Sequence, residues 1–271
     1  MTTLAIVIVS YNAAADLARC LDSLLEAPPA TPHEIVVVDN ASTDGSLDIV
    51  HGRAGVRLLA LGENAGFARA NNVGIRATSS ELILLLNSDT IVPAGAIDGL
   101  VAALREDPTA VASGPRLVDA DGRPELSFGA MVGPLAEWHQ KRLLTAAARG
   151  EREALDEIDR RTRTPGWPDW VTGACLLVRR DAAEAVGLID ERYFMYLEDV
   201  DFCAALRARG GRIRFSPAVT VTHLRGRSRL AAPAATTRAY RASQRAFYAK
   251  HHPFWLPVLR VYLWLTARRQ G

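Results

Sequence analysis

Four short apolar runs govern what this chain can become: LAIVIVS at 4–10, HEIVVVD at 33–39, VRLLAL at 56–61 and ELILLL at 81–86. They are aliphatic and β-branched along most of their length, as strands buried on both faces are. Turn residues and then a helical pattern follow each one: ADLARCLDSLLEA, DGSLDIVHG, GFARANNVGIRAT and AGAIDGLVAALRED. Strand alternating with helix predicts a parallel sheet, joined by right-handed crossovers and covered by helices on both faces.

Such a sheet binds ligands beyond the carboxyl ends of its strands. The residues there are Ser10, Tyr11 and Asn12 after the first run, then Asp39, Asn40, Ala41, Ser42 and Asp44 after the second. Gly62, Glu63 and Asn64 follow the third, and Asn87, Ser88, Asp89 and Thr90 the fourth. Helix capping uses the same residue types, so one such loop says little. Four of them on one edge point to a polar pocket.

GxGxxG is absent after the first strand, which weakens a dinucleotide-dependent oxidoreductase, and GxxxxGK[ST] is absent altogether, which removes the P-loop mechanism. A nucleotide needs another device here. Asp39 offers acceptor oxygens to a base or ribose, and Asp89 offers a ligand to a divalent cation carrying a diphosphate.

With 271 residues, 49% of them hydrophobic, the chain can bury one large core or two fused ones. A formal charge of +2 gives no ground for nucleic-acid binding, although the last third is richer in Arg. The N-terminal MTTLAIVIVSYN reads as a buried strand and not as a signal peptide, so a cytoplasmic protein is expected. Cys20, Cys175 and Cys203 are odd in number and far apart, and are expected as small core residues.

In YFMYLEDVDFC, residues 193–203, an apolar run ends on Glu198, Asp199 and Asp201. Carboxylates this close repel one another. A helix N-terminus accommodates them through its dipole. Catalysis is the other reading: like charges and the apolar neighbours Phe194, Met195, Tyr196 and Leu197 would raise their proton affinity and make a better base.

Taken in order, IVIVSYN, VVVDNASTDGS, NAGFARANNVG, LLLNSDT, WVTGACLLVRRD, GLIDERYFMYLEDVDFC and VTHLRGRS resemble the motifs of the inverting glycosyltransferases of family 2, most of all its bacterial rhamnosyltransferase-like branch. The resemblance covers about residues 3–230. It implies a GT-A fold, a Rossmann-like and mostly parallel sheet with helices on both faces. It also implies a nucleotide-sugar-binding half at 1–114, fused without a linker to an acceptor-binding and catalytic-base half at 115–230, with a C-terminal helical tail at 231–271.

Residue by residue, the resemblance sets Asp39 on the nucleoside with Asn40 beside it, and lines the base pocket with Ser10, Tyr11 and Asn12. Asn64, Gly66 and Arg69 fall beside ribose and phosphate. Asn87, Ser88 and Asp89 occupy the place of the DXD motif, where Asn87 departs from the pattern and leaves Asp89 as the carboxylate ligand. His223 completes a metal site for Mg²⁺ or Mn²⁺, the imidazole favouring Mn²⁺. Asp199 matches the catalytic base, and Glu198 the carboxylate that orients the acceptor. The loop LRGRS, 224–228, is expected to fold over the diphosphate.

The resemblance implies a reaction that moves a sugar to a hydroxyl of a glycan or lipid-linked glycan in cell-wall or polysaccharide biosynthesis; rhamnose from dTDP-rhamnose is the preferred donor because the motifs look most like that branch, while the same motifs also serve UDP-activated hexoses and galactofuranose. A sugar hydroxyl is a poor nucleophile, so a carboxylate base contributes on the order of 10² to 10⁴ in rate. A catalytically weak nucleotide-sugar or glycan-binding module of the same fold is the alternative, motivated by Asn87. A nucleotidyltransferase lacks support, because no Gly-rich, Arg- and Lys-bearing phosphate loop follows strand one.

The segment LAEWHQKRLLTAAARGEREALDEIDRRTR is expected as one or two solvated helices beside the acceptor site. Trp170, opening the strand WVTGACLLV, and Trp167 offer aromatic faces to an acceptor sugar or pack in the core; Trp170 is the acceptor candidate. The run Phe254 to Leu265, with Trp255, Tyr262 and Trp264, is shorter than the roughly 20 apolar residues of a membrane span. It fits an interfacial helix, which would make the protein peripheral on the inner face of the cell membrane, or a helix docked on the domain or a second subunit.

Overall fold

The computed structural model describes residues 3–224 and 233–267. The first half holds β1 (Leu4–Ser10), α1 (Ala14–Glu26), β2 (His33–Asp39), α2 (Ser46–His51), β3 (Val56–Ala60), α3 (Phe67–Arg76), β4 (Leu82–Asn87), β5 (Thr90–Ile91) and α4 (Ala96–Glu106). All four apolar runs are strands and all four helical patterns are helices. Then come β6 (Ala110–Val118), β7 (Pro124–Glu125), β8 (Phe128–Gly129), α5 (Pro134–Ala148), α6 (Arg152–Arg163), β9 (Trp170–Val171), β10 (Cys175–Arg179), α7 (Arg180–Ala185), α8 (Glu198–Ala208) and β11 (Arg212–His223). The tail forms α9 (Pro233–His251), a 3₁₀ turn (Pro253–Trp255) and α10 (Leu256–Ala267).

The main sheet runs β3-β2-β1-β4-β10-β6-β11-β5. β1 is parallel to both β2 and β4, with Leu4 opposite His33 and Leu82. β10 enters antiparallel between β4 and β6, β11 is parallel to β6, and the short β5 closes antiparallel on β11. One sheet thus interleaves strands from both sides of residue 114.

Alternation along the strands explains the continuous apolar runs. Val7, Val36, Val38 and Ile83 face one core, while Ile6, Ile8, Val37 and Leu84 face the other. Successive side chains point to opposite faces, and here both faces are covered. Gly74 lets α3 lie close on the sheet, since a Cβ there would fall 2.4 Å from Val7 Cγ1.

The run WVTGACLLV, expected as one strand, is two. β9 pairs with β8 in a small second sheet and β10 joins the main one, with Thr172–Ala174 turning between them. The break serves Asp199, to which the Gly173 N–H is committed. α5 buries no residue fully, whereas α6 buries Ala154, Ile158 and Thr162. All three cysteines are buried and free, and burial pushes each thiol up to about 12.

The tail docks on the domain: Phe247 and Tyr248 of α9 and Leu259 and Leu263 of α10 are buried in the core that faces α3 and α8. No described helix is long and apolar enough to cross a membrane.

Candidate active site

Strand register assembles the site. Ser10 lies opposite Asp39 and Val9 opposite Asn87, so the ends of β2, β1 and β4 present polar residues side by side. The Asn87 N–H donates to the Ala174 carbonyl at 3.0 Å. One residue earlier, the Gly173 N–H donates to Asp199 Oδ2 at 2.8 Å. A line of bonded backbone therefore connects Asp39 to Asp199 along the carboxyl edge of the sheet.

On the nucleotide side, Asp39 is 2% exposed; its Oδ2 accepts from the Ser42 N–H at 2.9 Å while its Oδ1 is buried without a partner. Ser10 Oγ is buried and equally unpartnered. Asn12 and Ala41 hold φ of 48° and 65°, left-handed values that are strained for Ala. They are over-determined by lacing between their loops: the Asn12 N–H donates to Ser42 Oγ at 2.9 Å, and Asn12 Oδ1 accepts from the Thr43 N–H at 2.7 Å. Asp44 accepts from the first N–H of α1, that of Ala14, and from Ser46, which opens α2; despite burial, which would raise it, these hydrogen bonds hold its carboxyl below the usual range. Tyr11 stands 46% exposed beside them.

Asn40 and Asn64 shape the loop that leads into α3. Asn40 Nδ2 donates to Asn64 Oδ1 at 2.9 Å, its Oδ1 accepts from the Ala65 N–H at 2.8 Å, and Asn64 Oδ1 also accepts from the Gly66 N–H. Gly66 has φ +83°, and a Cβ there would meet the Phe194 carbonyl at 2.5 Å. The next N–H, that of Phe67, donates to that carbonyl at 2.7 Å. This loop and the segment before Glu198 are thereby locked together. Arg69 is exposed and paired with Glu63 at 3.0 Å; both line a cavity of about 370 Å³ whose walls do not include Asp39, Asp89 or Asp199.

Two side chains meet His223 Nε2: Asp89 Oδ1 at 3.3 Å and Asn87 Nδ2 at 3.5 Å, with Asn87 Oδ1 buried and unpartnered. His223 Nδ1 lies 3.3 Å from Glu125 Oε2. Burial would lower His223, but the hydrogen bonds and charges of Asp89 and Glu125 outweigh it and raise it to about 9. Ser88 is half-buried between them in sequence. Among the described residues no three His, Cys, Asp or Glu side chains are arranged to hold a metal ion. One carboxylate, one imidazole and an amide oxygen in need of a partner nevertheless fit a divalent cation that takes its remaining ligands from a diphosphate. Of the LRGRS loop, residues 225–228 lie outside the described residues.

The three clustered carboxylates separate into different roles. They open α8 just after Tyr196 and Leu197, at φ 72° and 66°, two strained residues in succession. Asp201 is structural: 1% exposed, it meets Lys250 Nζ at 2.8 Å, His251 Nε2 at 2.6 Å and the Tyr193 hydroxyl at 3.2 Å. Asp199 is partly accessible, its Oδ2 bound by Gly173 and its Oδ1 by the Val200 N–H at 2.8 Å. Burial raises its pKa, and the bonds from Gly173, Val200 and Thr172 offset that in part. Glu198 is 6% exposed with Oε2 unpartnered, and burial first, then Asp199, push it well above the usual range.

Trp170 is 8% exposed, its indole N–H donating to the Ala130 carbonyl at 2.8 Å, while Trp167 lies 3.6 Å under the Arg212 guanidinium. Sequence reading did not single out Thr172 and Gly173, although they lie inside a quoted motif. Nor did it find Glu125, which no local pattern links to a histidine 98 positions away.

Residues 5–187 match Glycosyl transferase family 2. An N-acetylglucosaminyl-diphospho-decaprenol L-rhamnosyltransferase of Mycobacterium tuberculosis (strain ATCC 25618 / H37Rv) is 34% identical over 272 residues, covering 93% of this chain and 86% of that protein. A dTDP-rhamnosyl transferase RfbF of Shigella flexneri is 24% identical over 223 residues, 81% of this chain and 68% of that one. Among solved structures, the mannosyltransferase PcManGT of Pyrobaculum calidifontis in complex with GDP-Man and Mn2+ superposes with a TM-score of 0.61 at 20% identity, covering 97% of this chain and 69% of that one. The expected GT-A architecture is thus the one observed. A family match of this length, with a relative this similar along nearly the whole chain, makes this protein a glycosyltransferase belonging to glycosyl transferase family 2.

Proposed function

We propose that the protein transfers rhamnose from dTDP-rhamnose, with inversion, to a hydroxyl of a lipid-linked glycan. One observation carries the reading: Ser10 Oγ, Asp39 Oδ1 and Asn87 Oδ1, at the ends of β1, β2 and β4, and Glu198 Oε2, at the start of α8 next to Asp199, are buried without partners. Buried polar atoms are almost always satisfied, so a row of exceptions fits a polar ligand. The choice of sugar, donor and acceptor leans on two similar proteins, one named for rhamnosyl transfer involving a diphospho-decaprenol carrier and one for dTDP-rhamnose.

Ser10, Tyr11, Asn12 and Asp39 take the nucleoside, and Asn40, Asn64, Gly66 and Arg69 set the loop beside ribose and phosphate. Asn87, Ser88, Asp89 and His223 would hold a Mg²⁺ or Mn²⁺ ion, which when bound neutralises the leaving diphosphate. Asp199 accepts the acceptor hydroxyl proton as that oxygen bonds to the anomeric carbon. The bond from that carbon to the diphosphate breaks on the opposite face, its electron pair leaving with the nucleoside diphosphate. Asp199, fixed by the N–H groups of Gly173 and Val200, is favoured over Glu198 as the base because Glu198 is pushed well above the usual range and held towards its neutral form. Glu198, held towards its neutral form, orients the acceptor without adding a full second charge. Trp170, with little ring face exposed, contributes to acceptor binding as a wall and not as a stacking platform.

In this reading residues 1–114 bind the donor, 115–230 bind the acceptor and supply the base, and 231–271 bring the cytoplasmic enzyme to the inner membrane face. Incubation with dTDP-rhamnose, Mn²⁺ and a polyprenyl-diphosphate sugar tests it by NMR of the product. An anomeric configuration opposite to the donor's is expected; a retained configuration, or no transfer with any nucleotide sugar, contradicts the proposal.

A further inference from the structure

The surface of α10 is left half-covered in a way that water does not favour. Leu259 and Leu263 are buried, yet Phe254 is 94% exposed and Trp255, Val258, Val261, Trp264 and Leu265 are each at least half exposed. A helix that is apolar all round belongs in a core or in lipid. α5 extends the patch with Leu135, 75% exposed, and Trp138, 51% exposed, and is tied to α10 by Lys141 Nζ donating to the Tyr262 hydroxyl at 3.3 Å.

Charge identifies what covers it. All 30 acidic residues lie within 1–201, whereas 14 of the 32 Lys and Arg lie in 202–271. Between α9 and α10 a groove of about 270 Å³ is lined by Arg241, Arg245, Arg260, Leu263 and Trp264. Arg241 and Arg245 stand one helical turn apart on α9, and with Arg260 they bring three guanidinium groups to the groove. Among the described residues no carboxylate pairs with Arg245 or Arg260.

We propose that α10 and this groove form a docking surface for an anionic phospholipid bilayer, with a lipid phosphate seated among Arg241, Arg245 and Arg260 and the exposed aromatics at headgroup depth. The proposal rests on the membrane-peripheral reading of the tail and adds the groove as its phosphate site. Aromatic residues flanked by cations suit that interface, and guanidinium groups suit phosphate oxygens. A second copy docking face to face through a two-fold axis would set two arginine grooves against each other, so lipid is the better occupant.

Flotation of the full chain with phosphatidylcholine vesicles, and with vesicles containing about 30% phosphatidylglycerol, tests the idea. The wild type is expected to float with the anionic vesicles and R245A/R260A to partition roughly tenfold less or lower, with an unchanged melting curve. Equal flotation with both lipids, or R245A/R260A floating like the wild type, overturns the groove while leaving the tail as a membrane element. Absence of flotation with either lipid overturns the tail reading as well. Inorganic phosphate that raises the melting temperature of the wild type and not of R245A/R260A, with no preference for anionic vesicles, assigns the groove to a free anion and overturns the lipid. A stable dimer in solution that fails to float does the same in favour of a second copy.

Discussion

Gly173 holds Asp199: its backbone N–H donates to Oδ2 at 2.8 Å, and a Cβ on Gly173 would come within 3.4 Å of the Asp199 Cβ. The turn that breaks WVTGACLLV into two strands therefore fixes the side chain proposed as the base. Because the neighbouring Ala174 carbonyl accepts from the Asn87 N–H, the same turn ties the base to the strand end proposed to meet the diphosphate.

Asp199→Asn keeps the shape of the carboxylate and one of its two backbone contacts, the amide NH2 being unable to accept the other N–H, and cannot accept a proton. Transfer is expected to fall about 10² to 10⁴-fold with donor affinity unchanged, measured by turnover and by donor titration. In the wild type the acid limb of kcat/KM should lie above the ordinary Asp value of 3.8, because burial raises this group. An acid limb at or below that value would remove Asp199 from the role.

Glu198→Gln is expected to trade activity for stability. A carboxyl raised in the folded state contributes fully below its unfolded value, about 4.3, and that contribution is lost as pH rises towards the folded value. Gln cannot ionise. The variant and the wild type should melt together near about pH 4, and the variant should melt higher at about pH 8. Equal melting temperatures at both pH values would show that the Glu198 carboxyl is not raised in the folded state.

Gly66→Ala adds a Cβ at a left-handed φ of +83° and 2.5 Å from the Phe194 carbonyl. The expected loss is about 2 kcal/mol or more in urea unfolding, with turnover reduced further because this loop abuts the segment that presents Glu198. A variant of wild-type stability would mean the loop does not pack on Phe194.

Lys250→Met leaves Asp201, 2% exposed at its side chain, with one cationic partner fewer. Breaking such a pair costs about 3 kcal/mol. The loss should appear in denaturant unfolding. Unchanged stability would show that His251 and Tyr193 suffice.

Much of this was legible in the sequence, for physical reasons that differ by residue. Runs such as LAIVIVS declare a doubly covered strand because every position is buried, and the loop residues Ser10, Asp39 and Asn87 fall together because parallel strands share their carboxyl edge. Gly173 and Glu125 were not legible, because each acts on a partner far along the chain. Asp201 could not be told from Asp199 by spacing alone; only the docking of α9, 49 positions on, separates a salt bridge from a candidate base.

The central claim, that the carboxyl edge of this sheet holds a nucleoside diphosphate together with a divalent cation, is tested most directly by a thermal-shift panel of dTDP, UDP and GDP and their sugar conjugates with and without Mn²⁺. At about one hundred times its dissociation constant a ligand stabilises the folded state by roughly 2.7 kcal/mol. A metal-dependent rise with dTDP and dTDP-rhamnose, lost in Asp89→Asn, is the predicted result; no shift with any nucleotide, with or without metal, would contradict it.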